Sequence, residues 1–105
     1  METKKHILMV DDVTTNLRCA SEVLSDKYKV SMVKSGAQAL KFLEKTIPDL
    51  ILLDISMSDM DGYETLSHIK LNPKWTDIPV VFLTANVDGE SEIKGLKMGA
   101  MDYIR

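Results

Sequence analysis

Short apolar runs alternate with segments of helical periodicity along the chain. Residues 7–10, 50–53 and 80–83 are continuous runs of four large apolar residues, as expected of strands that are covered on both faces. Residues 28–33 instead alternate apolar and polar side chains, which predicts a strand at the edge of a sheet. Residues 103–104 begin a fifth predicted strand.

Apolar residues recur at helical spacing in each segment between these strands. The pattern predicts helices over 14–25, between Ser35 and Pro48, between Asp61 and Asn72, and over 88–98. In the second helix, the apolar side chains that share one predicted face are Ala37, Leu40, Phe42, Leu43 and Ile47.

Two of the predicted helices carry capping signals at their first turn. Ser35 precedes Gln38 by three residues, which is the spacing of a capping box. Asp61 precedes Glu64 by the same interval and is interpreted as a cap, whereas Asp59 is interpreted as solvated. These signals place the starts of the second and third helices.

The order of elements is strand, helix, strand, repeated until a fifth strand. This alternation is typical of an α/β fold, a doubly wound parallel sheet with helices on both faces. In such open sheets the functional crevice lies at the carboxyl ends of the strands, where the strand order reverses. Polar residues at these strand ends are therefore the first candidates for function.

Composition limits the classes of protein that the chain can belong to. Its 105 residues predict one domain, 1–105, with 45% apolar and 28% charged residues. No run reaches the roughly 18 apolar residues of a membrane span, and the first apolar run enters Asp11 directly, unlike a secretion signal. The net charge of -3 disfavours binding to nucleic acid or to an anionic membrane. The single cysteine, Cys19, is predicted to be partly buried on the first helix, and a reducing cytoplasm is the expected location.

Polar residues follow three of the first four strands. Asp11 and Asp12 follow the first strand, Asp54 the third and Thr84 the fourth. Each aspartate taken singly is most simply a helix cap or a turn residue. If the three strands are neighbours, however, the carboxylates converge and raise one another's pKa values, and a hard cation relieves the repulsion. Carboxylate, carbonyl and water ligands favour Mg²⁺.

Seven short motifs occur in order along the chain. They are VDD at 10–12, NL at 16–17, SGAQAL at 35–40, DLILLD at 49–54, MDGYE at 60–64, IPVVFLTA at 78–85 and GAMDYI at 99–104. Together they resemble the receiver domain of two-component response regulators, a bacterial signalling family of CheY-like fold. The resemblance covers all 105 residues.

The resemblance implies a fold and a phosphoacceptor site. The fold is a five-stranded parallel sheet of flavodoxin-like order 2-1-3-4-5. Asp54 is the implied phosphoacceptor, taking a phosphoryl group from a sensor histidine kinase or phosphotransfer protein as an aspartyl phosphate. Asp11, Asp12, Asp54 and the backbone carbonyl of Ser56 are the implied Mg²⁺ ligands.

The same resemblance implies a conformational switch. Thr84 donates its hydroxyl to the phosphoryl group, and Tyr103 is the aromatic side chain that changes rotamer. Spacing alone leaves Thr84 as a loop cap and Tyr103 as a half-buried strand residue. The implied role is a switch that regulates an output domain or downstream protein, and not an enzyme beyond its own phosphorylation and dephosphorylation.

Two features depart from the family pattern. Ser58 follows Met57 where the family usually has proline. The family also continues past the position of Arg105 with a lysine, a proline and a fifth helix. We therefore expect a receiver domain truncated before the last helix, whose uncovered apolar surface could form a homodimer.

Three alternative functions are open to the sequence. The first is a pseudo-receiver, a protein-interaction module that is not phosphorylated in this form. The second is an aspartyl-phosphate hydrolase, which usually has an aspartate two residues after its nucleophile, where this chain has Ser56. The third is a flavin carrier, but the loop at 11–16 has two acids and no glycine, so it would repel the flavin phosphate.

Overall fold

All five predicted strands lie in one parallel sheet, in the predicted order 2-1-3-4-5. The computed structural model describes residues 4–57 and 60–83 and the backbone of residues 102–104. The strands are β1 Lys5–Val10, β2 Tyr28–Val33, β3 Leu50–Asp54, β4 Val80–Leu83 and β5 Asp102–Ile104. The predicted strand order is confirmed, with β1 and β3 side by side at the centre.

Helices cover both faces of the sheet. In the described part of the chain they are α1 Thr14–Leu24, α2 Gly36–Lys45 and α3 Gly62–Leu71. Leu17 of α1 packs against Ile7 and Met9 on one face, whereas Leu8 and Val10 face the cluster that contains α2 and α3. Because successive side chains of a strand point to opposite faces, a strand between two helical layers must be apolar throughout. This is why the central strands read as unbroken apolar runs.

The capping predictions for α2 and α3 are confirmed. The Ser35 hydroxyl accepts a hydrogen bond from the Gln38 backbone N–H at 3.1 Å, and the Gln38 side chain accepts one from the Lys34 backbone N–H at 2.9 Å. The Asp61 carboxylate accepts one from the Glu64 backbone N–H at 2.8 Å. These bonds satisfy N–H groups that have no partner within the helix.

Three details of the helical predictions are wrong. Ala37 and Ile47 are exposed, and Ala39 is the buried alanine of α2. The helix ends at Lys45, before Pro48, so Ile47 leaves the helical pattern that would have turned it inward. Cys19 is exposed on α1, because only a narrow stripe centred on Leu17 meets the sheet.

Several sequence-based predictions fall outside the described residues. They concern the helix over 88–98 and the side chains of Ser58, Asp59, Thr84, Tyr103 and Arg105. No helix in the described part of the chain is long and apolar enough to cross a membrane. The predicted homodimer, formed through uncovered apolar surface, stays a prediction.

An apolar cavity of about 370 Å³ lies beside α1, on the face of the sheet formed by β1 and β3. Its lining includes Ile7, Leu24 and Leu52.

Candidate functional site

The site lies where β1 and β3 end together. The two strands are parallel neighbours, with Val10 paired with Leu53, so the next residues of each, Asp11 and Asp54, meet at the same edge. The first strand on the other side of β3 is β4, and β2 flanks β1. The strand order therefore reverses between β1 and β3, and ligands bind at the carboxyl ends of the strands on either side of such a reversal.

Asp11 is a buried carboxylate that is held on both oxygens. Its side chain is 4% exposed. One carboxylate oxygen accepts a hydrogen bond from the Val13 backbone N–H at 2.9 Å, and the other accepts one from the Asn16 side chain at 3.1 Å. Its own backbone N–H donates to the Val33 carbonyl at 3.1 Å, which ties the end of β1 to β2. The orientation of this carboxylate is therefore set by the first turn of α1.

Asp54 ends β3 and is half-buried. Its pKa is raised from 3.8 to about 6, mainly by burial and in addition by the negative charges of Asp11 and Asp12. A hydrogen bond from the Ser56 backbone N–H to a carboxylate oxygen, at 3.3 Å, acts in the opposite direction. Part of the raised pKa of Asp54 therefore reflects repulsion between the carboxylates of this cluster.

The three aspartates converge as the sequence predicts. One carboxylate oxygen from each of Asp11, Asp12 and Asp54 lies within 4.8 Å of the others. Oxygens bound to one Mg²⁺ at about 2.1 Å are about 4.2 Å apart when they are opposite each other. The set is all-oxygen and anionic, and Asp12 and Asp54 are only partly buried, so water and phosphate could complete the coordination. These residues therefore fit a Mg²⁺ ion.

The loop after β3 returns directly to the site. The Gly62 backbone N–H, at the start of α3, donates to the Ile55 carbonyl at 2.8 Å. Ser56 is exposed between them and available to solvent at the edge of the acidic cluster. Thr84 and the side chain of Tyr103 lie outside the described residues, so their predicted places in the site stay predictions.

Two residues near the cluster had no role in the sequence-based site. Asn16 forms part of a motif, but the pattern gives no sign that its side chain reaches Asp11 across one turn of α1. Gly62 follows a capping aspartate and reads as an ordinary helix start. Only the folded loop shows that it lies against the backbone of Asp54.

Comparison with known proteins identifies one family. The family model described as the response regulator receiver domain matches residues 7–105. A Vibrio cholerae protein named as a probable cyclic di-GMP phosphodiesterase is 43% identical over 98 residues, which cover 93% of this chain and 22% of that protein. The response regulator PleD of Caulobacter vibrioides is 39% identical over 100 residues, with the same two coverages. The chain thus spans about a fifth of the length of these relatives.

Solved structures agree with this match. The N-terminal domain of a response regulator receiver protein from Methanoculleus marisnigri is 38% identical, with a TM-score of 0.90 over 97% of this chain and 84% of that one. The chemotaxis protein CheY4 of Vibrio cholerae has a TM-score of 0.92 at 26% identity over 97% of this chain and 86% of that one. The response regulator Rcp1, whose structure holds Mn²⁺, has a TM-score of 0.87 at 32% identity, covering 95% and 79%.

Proposed function

Because the chain belongs to the response regulator receiver domain family, we propose that it is a phosphoacceptor switch that receives a phosphoryl group on Asp54. The observation that carries this proposal is the convergence of the three carboxylates within 4.8 Å at the end of β3. A strand whose three central residues are buried ends at the proposed nucleophile, and such elements hold reactive groups more precisely than loops do.

The proposed chemistry is an in-line phosphoryl transfer. A carboxylate oxygen of Asp54 forms a bond to phosphorus while the bond from phosphorus to the donor histidine nitrogen breaks, and that nitrogen keeps the electron pair. Asp11, Asp12, Asp54 and the carbonyl of Ser56 would hold Mg²⁺. The bound ion would neutralise charge on the transferring oxygens, which is the main requirement of this reaction.

The ionisation of Asp54 suits this role. Only the deprotonated carboxylate is a nucleophile, and a pKa of about 6 leaves most of it ionised at neutral pH. Binding a cation next to the carboxylate would lower that pKa, because an opposite charge favours the ionised form. Asp11 is held on both oxygens and is therefore better placed to orient a ligand than to react itself.

The remaining roles follow from the family. We propose that the Thr84 hydroxyl contacts the bound phosphoryl group and that Tyr103 changes rotamer, which alters the surface read by an output domain or downstream protein. The phosphoryl donor is proposed to be a sensor histidine kinase or phosphotransfer protein in the cytoplasm. The domain would act on no substrate other than its own phosphoryl group.

The alternatives receive less support from the site. An aspartyl-phosphate hydrolase needs an acid or base two residues after the nucleophile, and Ser56 at that position contacts Asp54 through its backbone N–H. A flavin carrier needs a phosphate-binding loop after β1, but that loop holds the buried carboxylate of Asp11. A pseudo-receiver would not require the complete acidic cluster that this chain has.

Phosphorylation by a small-molecule donor tests the proposal directly. We expect the 105-residue chain to gain one phosphoryl group when it is incubated with acetyl phosphate and Mg²⁺, as read by intact mass. The gain should disappear when EDTA removes the cation. A folded chain that shows no mass increase with Mg²⁺ would contradict the proposed function and favour the pseudo-receiver.

Removing the side chain of Asn16 should weaken Mg²⁺ binding. Asn16→Ala deletes the donor to one oxygen of Asp11, so that carboxylate loses its fixed orientation. Groups that orient metal ligands typically contribute ten-fold or more to affinity, and we expect a loss of about ten-fold for this exposed donor. Titration calorimetry with Mg²⁺ measures the change. Thr15→Ala, at the adjacent exposed position of α1, is the control and should bind like the wild type.

A further inference from the structure

Gly62 lies directly against the backbone of the proposed nucleophile. A Cβ atom built on Gly62 would be 2.5 Å from the Asp54 carbonyl oxygen and 2.8 Å from the Ile55 Cα. It would also lie 3.1 Å from Cε1 of Phe82, which is fully buried in β4. The first two neighbours are backbone atoms, so no change of side-chain rotamer can make room for a larger residue.

The contact is held from both sides. The Gly62 backbone N–H donates to the Ile55 carbonyl at 2.8 Å, which fixes the first residue of α3 to the end of β3. Behind it, the Asp61 side chain caps α3, and the Asp61 carbonyl accepts hydrogen bonds from the Thr65 backbone N–H at 3.0 Å and from the Thr65 hydroxyl at 2.9 Å. Thr65 is fully buried, so this turn cannot retreat into solvent.

The distances determine how large the effect of a side chain would be. Moving a carbon from 2.5 Å to an ordinary contact distance of about 3.5 Å requires a displacement of about 1 Å. Reactive groups must be held to within about 0.5 Å of their working positions. A misplacement of about 1 Å can reduce a rate about a hundred-fold. Asp54 can therefore keep its position only because residue 62 is a glycine and has no side chain.

We propose that Gly62 is a positioning residue for the acidic cluster: its lack of a side chain lets α3 begin against the Asp54 carbonyl and so places that carboxylate, with the Ser56 peptide, at the Mg²⁺ site. The inference rests on the proposed function, because it concerns the same cluster. It assigns the start of α3 a part in ion binding, in addition to its part in the core.

The chain offers a matched control in Gly36. This glycine is likewise buried and likewise the first residue of a helix. A Cβ atom at Gly36 would approach the side chain of Met60 and collide with the Thr65 hydroxyl, which is one of two Thr65 donors to the Asp61 carbonyl, the other being the Thr65 backbone N–H. It would not meet the backbone of β3, so this variant tests the indirect support of α3 without the direct contact. Alanine at either position has the same gain in intrinsic helix propensity, so the two variants differ mainly in which atoms they displace.

The experiment compares Gly62→Ala with Gly36→Ala. Mg²⁺ affinity is measured by titration calorimetry on protein that circular dichroism shows to be folded, and the backbone amide resonances of Ile55 and Ser56 are followed by NMR. We expect Gly62→Ala to bind Mg²⁺ at least about ten-fold more weakly, with shifted Ile55 and Ser56 resonances. Gly36→Ala should lose stability but stay within about two-fold of the wild-type affinity. Equal affinities in the two variants would overturn the inference.

If Gly62→Ala does not fold, a second pair of variants tests whether the start of α3 positions the acidic cluster. Asp61→Asn and Asp61→Ala both remove the charge, but only asparagine keeps the cap that holds the first turn of α3. We expect the alanine variant to bind Mg²⁺ about three-fold more weakly than the asparagine variant. Equal affinities would overturn the inference.

The test is separable from that of the proposed function. If the wild type binds Mg²⁺ and accepts a phosphoryl group but the paired variants bind equally, only the role of Gly62 is rejected. If the wild type binds Mg²⁺ and the pairs differ but acetyl phosphate leaves the mass unchanged, only the phosphoacceptor function is rejected. A wild type that does not bind Mg²⁺ would overturn both.

Discussion

Asp54→Asn should abolish phosphoryl uptake and at the same time make the protein more stable at neutral pH. The amide has no anionic oxygen with which to attack phosphorus, so intact mass after incubation with acetyl phosphate and Mg²⁺ should stay at that of the unmodified chain. The same change removes a charge from a cluster in which three carboxylates lie within 4.8 Å. If Asp54 served only to stabilise the fold, its replacement by asparagine would lower the free energy of unfolding.

The direction of the stability change follows from the pKa of Asp54. Its value is about 6 in the folded protein and 3.8 in the unfolded chain, so the folded state binds the proton more tightly. The stability that this group contributes is present below pH 3.8 and is lost as pH rises through 6. The shift from 3.8 to about 6 corresponds to about 3 kcal/mol, and because Asp54 is only half-buried, screening by solvent reduces the loss to about 1–2 kcal/mol.

Urea unfolding in EDTA checks this expectation. Asp54→Asn should unfold at higher urea than the wild type at pH 7.5, and the difference should shrink at pH 4, where the wild-type carboxyl is largely protonated. Added Mg²⁺ should stabilise the wild type more than the variant. Asp26→Asn, an isosteric change at an exposed position after α1, serves as the control. A variant less stable than the wild type at pH 7.5 would contradict the expectation.

Among these variants, Phe82→Ala should lower the free energy of unfolding the most. Phe82 is fully buried in β4, and its ring packs edge-on against Tyr63 with 5.3 Å between centroids. Truncating such a residue removes apolar burial and leaves a cavity, which costs about 3–5 kcal/mol. The total stability of a domain this size is about 5–15 kcal/mol. We therefore expect a midpoint of urea unfolding far below that of the wild type.

Phe42→Ala is the matched control for that experiment. Phe42 lies on α2 at the margin of the same cluster, where it is only partly buried, and its ring contacts His6 with 5.7 Å between centroids. Because its site can relax towards solvent, the cost should be clearly smaller. Similar losses for the two variants would show that burial in β4 does not dominate the stability of this core.

Local sequence patterns were sufficient to predict the described strands and helices and their order. Runs of four apolar residues between helical segments are typical of strands covered on both faces, and the alternation of strands with helices favours a parallel sheet. Caps at Ser35 and Asp61 depend on atoms three residues apart, so they too could be read from the chain. One error arose where a helix ended early: α2 ends at Lys45, and Ile47 is therefore exposed. The errors at Ala37 and Cys19 concern which face of the helix meets the sheet.

The assembly of the site was decided by tertiary structure. The sequence determined that acids follow two strands, but only the pairing of β1 with β3 brings Asp54 next to Asp11. The contact of Asn16 with Asp11 and of Gly62 with the Asp54 backbone depend on how α1 and α3 leave the sheet. Periodicity describes which face a residue occupies within its own element. Distances between elements depend on strand register and helix packing, and no local pattern specifies these.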